Sequence, residues 1–530
     1  MTMMMTDETL RLTGEQHDAV QMYLSGQNFS IKALAGTGKT TTLRSIAGMH
    51  PRRRGLYLAF NKSVQREAEK KFEDTRVDCR TAHALAFPGY GRPRMDRLRL
   101  RTNNTEKARI LEMGRVDING YGRVHKFAPA TFMKVVTSTV DKFATVADTE
   151  ITTALVTIPE KLRQKFVLSE AALKKIGSDK IELELAREAE DNAADEFTEK
   201  VVEWAKIYWA DVTSLDGVLP VSHQHYLKLF ALDRPQLRYE YILFDEAQDA
   251  DELMLDVVKS QENCQLIAVG DSNQAIYGWR GAVDALDKFE GQSTTLTQSF
   301  RFGPEIAEFA NVYLEVLGSE LRVQGTPGRK SSVFTDHHSY QVPNAIICRS
   351  NAGCMMEILE NLKAGRSVGI IGERKAEELR SLAQAAVDLE QKGFSLHPDI
   401  VASGFEKWDD IVKAAQQEAD DGDPSELLMM IGLIARLGAE SIIAAIDSTV
   451  PIEEADVAVG TAHTAKGGEW WHVRIGNDFR EPGIDSDTGE QKAIRREELR
   501  LLYVAVTRAQ RHLDAMSVAW IMNYGGEVID

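Results

Sequence analysis

The residues best suited to chemistry lie in "KALAGTGKTTTLRS", residues 32–45, where Gly36, Gly38, Lys39 and the threonines Thr40 to Thr42 separate a strand-like segment from a helix-like one. Such a loop turns successive backbone N–H groups toward an anion, and the dipole of the following helix favours negative charge. Lys39 can reach the β and γ phosphates of a nucleotide, and the Thr40 hydroxyl can ligate Mg²⁺. Ala35, Gly36, Thr37, Gly38 and Thr41 complete the cradle. The usual pattern begins with glycine, and here that position is Ala33. A plain glycine turn is the competing reading, but GKT at a strand–helix junction favours phosphate.

Nucleotide chemistry also needs acids. In "YILFDEAQD" four apolar residues, Tyr241 to Phe244, deliver Asp245 and Glu246 to the carboxyl end of a buried strand, where ligands sit in parallel sheets. Asp245 suits the Mg²⁺ shell, usually through water. Glu246 suits the base that orients and deprotonates an attacking water. The competing reading is a solvated acidic turn with Asp249 and Asp251. Two carboxylates directly after a strand, in a chain with a phosphate loop, favour catalysis.

A third group is aromatic. In "AIYGWRGA", Tyr277 and Trp279 alternate along a loop leaving a strand, close after Gln274. They can stack on nucleic-acid bases or simply pack.

These residues need a parallel α/β sheet to hold them. "FSIKALA", "GLYLAFN", "YEYILFDEAQD" and "CQLIAVGD" read as strands, with "TTTLRSIAGM" and "KSVQREAEKKF" as helices. A second alternating region opens near "TTLTQSFR", continues through "NAIICRSNA" and "ADVAVGTAHTAKG", and closes with "EELRLLYVAVTRA". Charged, mainly helical sequence interrupts the first region over residues 85–225 and the second over 362–445.

At 530 residues the chain is too long for one core. A net charge of −17 argues against a uniformly basic surface, though a local basic groove with aromatics can still bind nucleic acid. The cluster Arg92, Arg94, Arg97, Arg99 and Arg101 in "YGRPRMDRLRLRTNN" is either such an edge or a solvated face paired with carboxylates. Four cysteines show neither zinc spacing nor a disulfide framework. No apolar run is long enough to cross a bilayer, and the start lacks signal-peptide order, so a cytoplasmic protein with no membrane partner is expected.

"LTGEQ", "AGTGKT", "DEAQD", "VGDSNQAIYGWRGA", "LTQSFR", "TAHTAKGGEW" and "LLYVAVTRA" occur in the order found in UvrD/Rep-type superfamily 1A DNA helicases. The resemblance spans residues 12–509. "LYLAFNKSVQREAEKKF", "CRTAHALAF" and "HQHYLKLFAL" are similar to the F-box DNA helicase subgroup, in the helicase core alone. The resemblance implies an α/β fold of two RecA-like P-loop domains with parallel sheets, each carrying a mainly helical insertion. Domain 1A would take residues 1–84 and 226–290, 1B residues 85–225, 2A residues 291–361 and 446–530, and a small 2B residues 362–445.

It also implies roles. Gln16 would read the adenine edge, Phe300 stack on the base, and Glu469 hold the ribose. Gln274 would sense the γ-phosphate, and Arg301 and Arg508 act as arginine fingers on the charge that develops there. Phe60, Asn61, His83, Tyr277, Trp279, Arg349, Asn351, Thr461 and His463 would line a track for single-stranded DNA. ATP and Mg²⁺ are the implied cofactors. The implied activity is 3′ to 5′ translocation or unwinding at single-strand/duplex junctions, with a possible protein partner. A strippase with little unwinding, or an ATP-gated module recruiting a nuclease, are the alternatives. Departures from the family pattern are Ala33, "DSNQ" for "DDDQ", Phe300 for tyrosine and Gly468 for leucine.

Overall fold

The computed structural model describes residues 12–100, 102–278, 284–286, 288–289, 291–339, 341–395, 397, 400, 407–420, 426–485 and 489–529. The chain divides into two compact units. The first is Met1–Met49, Ile267–Trp279 and Leu286–Asp530; the second is His50–Leu266 and Arg280–Ala285.

In chain order, strands β1 (Phe29–Ala33), β2 (Gly55–Ala59) and β3 (Val77–Thr81) precede a pair, β4 (Val116–Gly120) and β5 (Arg123–Phe127). Then come β6 (Tyr241–Phe244), β7 (Gln265–Gly270) and β8 (Gln292–Leu296). The remainder are β9 (Ser332–Phe334), β10 (Ala345–Cys348), β11 (Val368–Ile370), β12 (Val457–Thr461), β13 (Trp470–Ile475), β14 (Ile494–Arg495), β15 (Ala509–Asp514) and β16 (Val528–Ile529). Every residue of β2, β6, β7, β10 and β12 is buried, as expected of parallel strands covered on both faces.

In the first unit β1 lies between β7 and β8, parallel to both, with Phe29 opposite Ile267 and Gln292. β8 falls in what the sequence suggests is the second alternating region, yet it pairs with β1. Alternation marks a strand but not its neighbour. A second parallel sheet runs β11-β12-β10-β13-β15-β9 among the described residues. One face packs on helices Pro304–Val316 and Arg496–Val506 through Tyr313, Leu499, Leu502 and Tyr503. The other packs on helices from residues 373–447 through Leu382, Leu389, Trp408, Ile434 and Ile442. β11 lies within the stretch expected to be helical, and supplies an edge of this sheet.

The second unit holds β3-β2-β6, all parallel, and a mainly helical segment that also contains the antiparallel β4–β5 pair. That pair was not expected from sequence. Helices Pro129–Phe143 and Lys180–Thr213 pack through Phe132, Val136, Phe143, Phe197 and Tyr208. The second helix, 34 residues and about 51 Å long, begins on an Asp179 cap. Its far end is held by two of the clustered arginines. Arg97 donates to the carbonyls of Asp211, Ser214 and Leu219 and pairs with the Asp211 carboxylate at 3.0 Å. Arg94 donates to the carbonyls of Tyr90 and Thr213. These two are neither a phosphate edge nor a solvated face; they tie off a helix. Arg101 lies outside the described residues.

Among the described residues no single helix is long and apolar enough to cross a membrane.

Candidate nucleotide site and nucleic-acid contacts

The loop after β1 is shaped by two left-handed residues, Gly36 at φ +72° and Gly38 at φ +77°, which only glycine adopts cheaply. Thr37 turns its hydroxyl back onto the Leu34 carbonyl at 2.8 Å, and Thr42 does the same to Gly38 at 3.1 Å. Helix Lys39–Met49 starts immediately, with Lys39, Thr40 and Thr41 in its first turn. Leu34 and Ala35 are buried in the same apolar cluster as Phe302, Tyr503 and Val504.

The loop is closely approached. A Cβ on Gly36 would lie 2.6 Å from Ser299 Oγ and 2.7 Å from Arg301 Cβ. The Phe300 N–H donates to the Gly36 carbonyl at 2.7 Å. A Cβ on Gly38 would meet Gln16 Nε2 at 3.2 Å and the Phe300 ring at 3.4 Å. Gln16 is buried and fixed from both ends of its amide. Oε1 accepts the Thr13 N–H at 3.0 Å in a capping box, and Nε2 donates to Thr42 at 3.2 Å. Phe300 is 44% exposed, so its ring keeps an open face.

Arg301 donates to Glu469 at 2.7 Å and to the Thr507 carbonyl at 2.9 Å. Burial alone would raise the Glu469 pKa, but the charge and hydrogen bond of Arg301, the Gln510 hydrogen bond and the nearby Arg508 hold it below the usual carboxylate range. Arg508 is buried. It donates to the carbonyls of Val504 at 2.9 Å and Gly468 at 3.4 Å, and to Gln274 Oε1 at 3.2 Å. Gln274 in turn donates to Asp271 at 2.7 Å, and its carbonyl accepts from Lys466 at 2.7 Å. Gly468 stands where leucine is usual because the Trp470 indole fills that space, 2.5 Å from where a Cβ would be.

In the second unit Asp245 and Glu246 follow β6. Asp245 is buried and hydrogen-bonded to the Tyr57 hydroxyl. Burial first, then the Asp245 charge, raises the Tyr57 pKa well above normal, so the phenol stays a donor. Glu246 has φ +52°, a left-handed conformation rare outside glycine. Gln248, itself buried, donates to the Glu246 carboxylate at 2.5 Å and aims it. Asp249 is 3% exposed, so the segment is not a solvated turn. A non-glycine residue in this conformation is the kind of local strain that collects at functional sites.

The proposed DNA contacts are placed as follows. In the first unit the Tyr277 ring lies 6.0 Å from that of His463, its hydroxyl donates to the His463 carbonyl at 3.4 Å, and Lys466 sits over its face at 5.2 Å. Thr461 caps helix Ala462–Ala465 through the Thr464 N–H. Arg349 pairs with Glu498 at 2.6 Å, and Asn351 opens helix Asn351–Lys363. In the second unit Asn61 caps helix Lys62–Lys71, with Phe60 before it. His83 packs edge-on against His223 and Tyr226, and burial together with the His223 charge lowers its pKa. Trp279 lies outside the described residues.

Within the first unit, the structure thus gathers Gln16, the loop, Phe300, Arg301, Glu469, Gln274 and Arg508 into one contact network. Sequence reading passed over Tyr503, Asp271, Lys466, Tyr57 and Gln248, although each lies inside a stretch quoted above. Their types gave no signal, because their roles are to hold other residues.

A glycine-bent loop between a buried parallel strand and a helix, abutted by arginine-bearing segments, defines a P-loop α/β protein. Residues 12–292 match the UvrD/REP helicase N-terminal domain, and 349–519 the UvrD-like helicase C-terminal domain. The chain belongs to the UvrD/Rep helicase family. It is 27% identical to F-box DNA helicase protein 1 of Schizosaccharomyces pombe over 546 aligned residues, covering 95% of this chain and 57% of that one. It is 28% identical to F-box DNA helicase 1 of Gallus gallus, covering 95% and 49%. Against ATP-dependent DNA helicase UvrD2 of Mycobacterium tuberculosis the identity is 25%, covering 55% and 49%. The chain spans about half the length of the curated relatives it matches.

Proposed function

We propose that this chain is an ATP-dependent motor on single-stranded DNA, a helicase or translocase moving 3′ to 5′. The observation that carries the reading is the contact of the phosphate loop with the Ser299–Arg301 segment, in the same network as Arg508 and Gln274. In this reading ATP lies on residues 35–41, with Gln16 and Phe300 at the adenine and Glu469 at the ribose. The loop fits the group: two left-handed glycines bend it directly into the N-terminus of helix Lys39–Met49, the arrangement whose backbone N–H groups hold phosphate. Thr40 and Asp245 are oxygen donors of the kind Mg²⁺ takes, and the bound ion would neutralise charge on the β and γ phosphates. Lys39 offsets the same charge, and Glu246 takes the proton of the attacking water. Arg301 and Arg508 stabilise the charge that develops on the leaving phosphoryl group. Each helps most when held against the loop, so ATP binding tightens that contact and hydrolysis loosens it.

Phe60, Asn61, His83, Tyr277, Trp279, Arg349, Asn351, Thr461 and His463 are the residues assigned to DNA, by stacking and backbone contacts. The reading keeps a cytoplasmic location and leaves room for a protein partner in a repair, recombination or defence complex; recruitment of a nuclease belongs to the alternative of an ATP-gated DNA-binding module. A second reading, a strippase that opens little duplex, is favoured by the short segment 362–445 in the place of the insertion that regulates unwinding.

The deciding experiment is steady-state ATPase of wild type and Glu246→Gln with single-stranded DNA, duplex DNA and RNA. Single-stranded DNA should stimulate wild type most, and the variant should bind ATP but lose ~10²–10⁴ in turnover. A wild-type rate indifferent to every nucleic acid would sink the reading. Tailed duplexes of both polarities then separate unwinding from translocation, and better opening of a 5′-tailed substrate would reverse the direction.

A further inference from the structure

Several of the residues assigned to DNA in the first unit leave the carboxyl ends of neighbouring parallel strands. Thr461 closes β12, opposite Cys348 at the end of β10, and Arg349 and Asn351 follow β10 directly. The next strand in the sheet is β13, parallel to β10, with the Gly476 N–H donating to the Ile347 carbonyl at 2.8 Å. Just beyond β13, Asp478 turns back onto the segment after β10. Its Oδ1 accepts the Arg349 N–H at 2.9 Å, and Oδ2 accepts both the Ser350 N–H and the Ser350 hydroxyl at 2.8 Å. Ser350 in turn caps helix Asn351–Lys363 by accepting the Gly353 N–H at 3.0 Å. A carboxylate in this place answers the backbone donors of the segment and the positive end of a 13-residue helix together. Hydrogen bonds to a charged acceptor are also the strong ones.

The fit is close. A Cβ on Gly353 would lie 2.1 Å from Asp478 Oδ2 and 2.5 Å from its Cγ, so the carboxylate, and not a left-handed backbone, requires glycine there. The Arg349 side chain is held separately. Its Nε donates to Glu498 at 2.6 Å, and its two terminal nitrogens have no protein partner among the described residues. All of these residues lie in the first unit. We propose that Asp478 is a positioning residue for this part of the DNA track: it sets the backbone of residues 349–351 so that the Arg349 guanidinium and the Asn351 amide meet the strand. It touches no DNA itself. The inference rests on the DNA reading above, which assigns Arg349 and Asn351 to that contact.

Asp478→Asn is the test, since it keeps the size of the side chain and removes its charge and one acceptor. In titrations with a fluorescent oligothymidylate, Kd should rise at least tenfold while KM for ATP stays within twofold. The slope of log K against log salt should become shallower by about 0.7, the share of one phosphate on a single strand, and Arg349→Ala should show the same change. An aspartate that only stabilised the fold would lower Tm and leave Kd and slope at wild-type values, and that result overturns the proposal. With Arg349→Ala and Asn351→Ala already in place, Asp478→Asn should alter Kd less than twofold, because it acts through those two. A further tenfold loss in that background also overturns it. Gly353→Ala, which drives a methyl group into the carboxylate, should reproduce the Kd and slope of Asp478→Asn, and it decides the matter if Asp478→Asn does not fold. If wild type itself binds no single-stranded DNA, the functional reading fails. Hydrogen exchange at the Arg349 and Ser350 amides, measured without DNA, then still decides whether Asp478 sets this segment: exchange should quicken in Asp478→Asn, and an unchanged rate overturns its role.

Discussion

Two arginines, Arg508 in the first unit and Arg97 in the second, are both buried and both donate to backbone carbonyls at helix ends. Their partners differ in what they can do. Arg97 grips the Asp211 and Ser214 carbonyls at the end of a long helix, the Leu219 carbonyl beyond it and the Asp211 carboxylate, so most of its partners are main-chain groups that no side-chain rotation can release. Arg508 has one bond to the Gln274 side chain, a group that can swing without breaking secondary structure. If Arg508 acts on phosphate as proposed, burial and partner count do not separate a structural arginine from a working one. On that reading the distinguishing feature is a partner, Gln274, that also belongs to the network around the phosphate loop.

The sharpest way to break this comparison is Arg508→Ala. Turnover should fall at least ~10³-fold while ATP affinity stays within a few-fold, read by steady-state ATPase and equilibrium nucleotide binding. Unchanged turnover would make Arg508 another structural clamp.

Arg97→Ala should cost about 2–4 kcal/mol of stability, measured by denaturant unfolding, because three carbonyls at and beyond a helix end lose their donor and the half-buried Asp211 carboxylate is left with the Val218 and Leu219 N–H groups. KM for ATP and the salt dependence of DNA affinity should not move. A salt slope shallower by about one would instead mark Arg97 as a phosphate contact.

Glu246 offers a smaller contrast, between a strained side chain and the unstrained glycines of the loop. Glu246→Gly should be more stable than Glu246→Ala by about 1 kcal/mol, since alanine keeps the left-handed penalty and glycine does not. Equal stabilities would mean that the left-handed turn relaxes in the variants.

The smallest effect concerns a buried base in the same unit as Arg508. His472 is 2% exposed and neither ring nitrogen has a hydrogen-bond partner among the described residues. Burial first, then His512 and Arg474, lower its pKa below the ordinary 6.5, against the opposing pull of Asp514. The unfolded chain therefore binds this proton more readily, and stability should decline as pH falls below ~6.5 and be indifferent to this group well above it. His472→Leu should flatten that part of the stability–pH curve, and an unchanged slope would show that another group titrates.

Reading order and type sufficed for much of this molecule. "GTGKT" and "YILFDE" announce a phosphate loop and a strand-end acid pair, because loop dihedrals and strand burial are local properties of consecutive residues. The apolar runs of β1, β2, β6 and β7 announce a parallel sheet for the same reason. Which strand sits beside β1 was not legible, since β8 carries the same pattern wherever it pairs. Nor could sequence separate Arg97 from Arg508, or show that Trp470 requires Gly468. Those depend on atoms far apart in the chain meeting at a few ångströms, and only tertiary packing brings them together. Chemistry was written in the order of residues; the arrangement that holds Gln274, Tyr503 and Arg508 to the loop came from the burial of Leu34, Ala35 and Phe302 in one core.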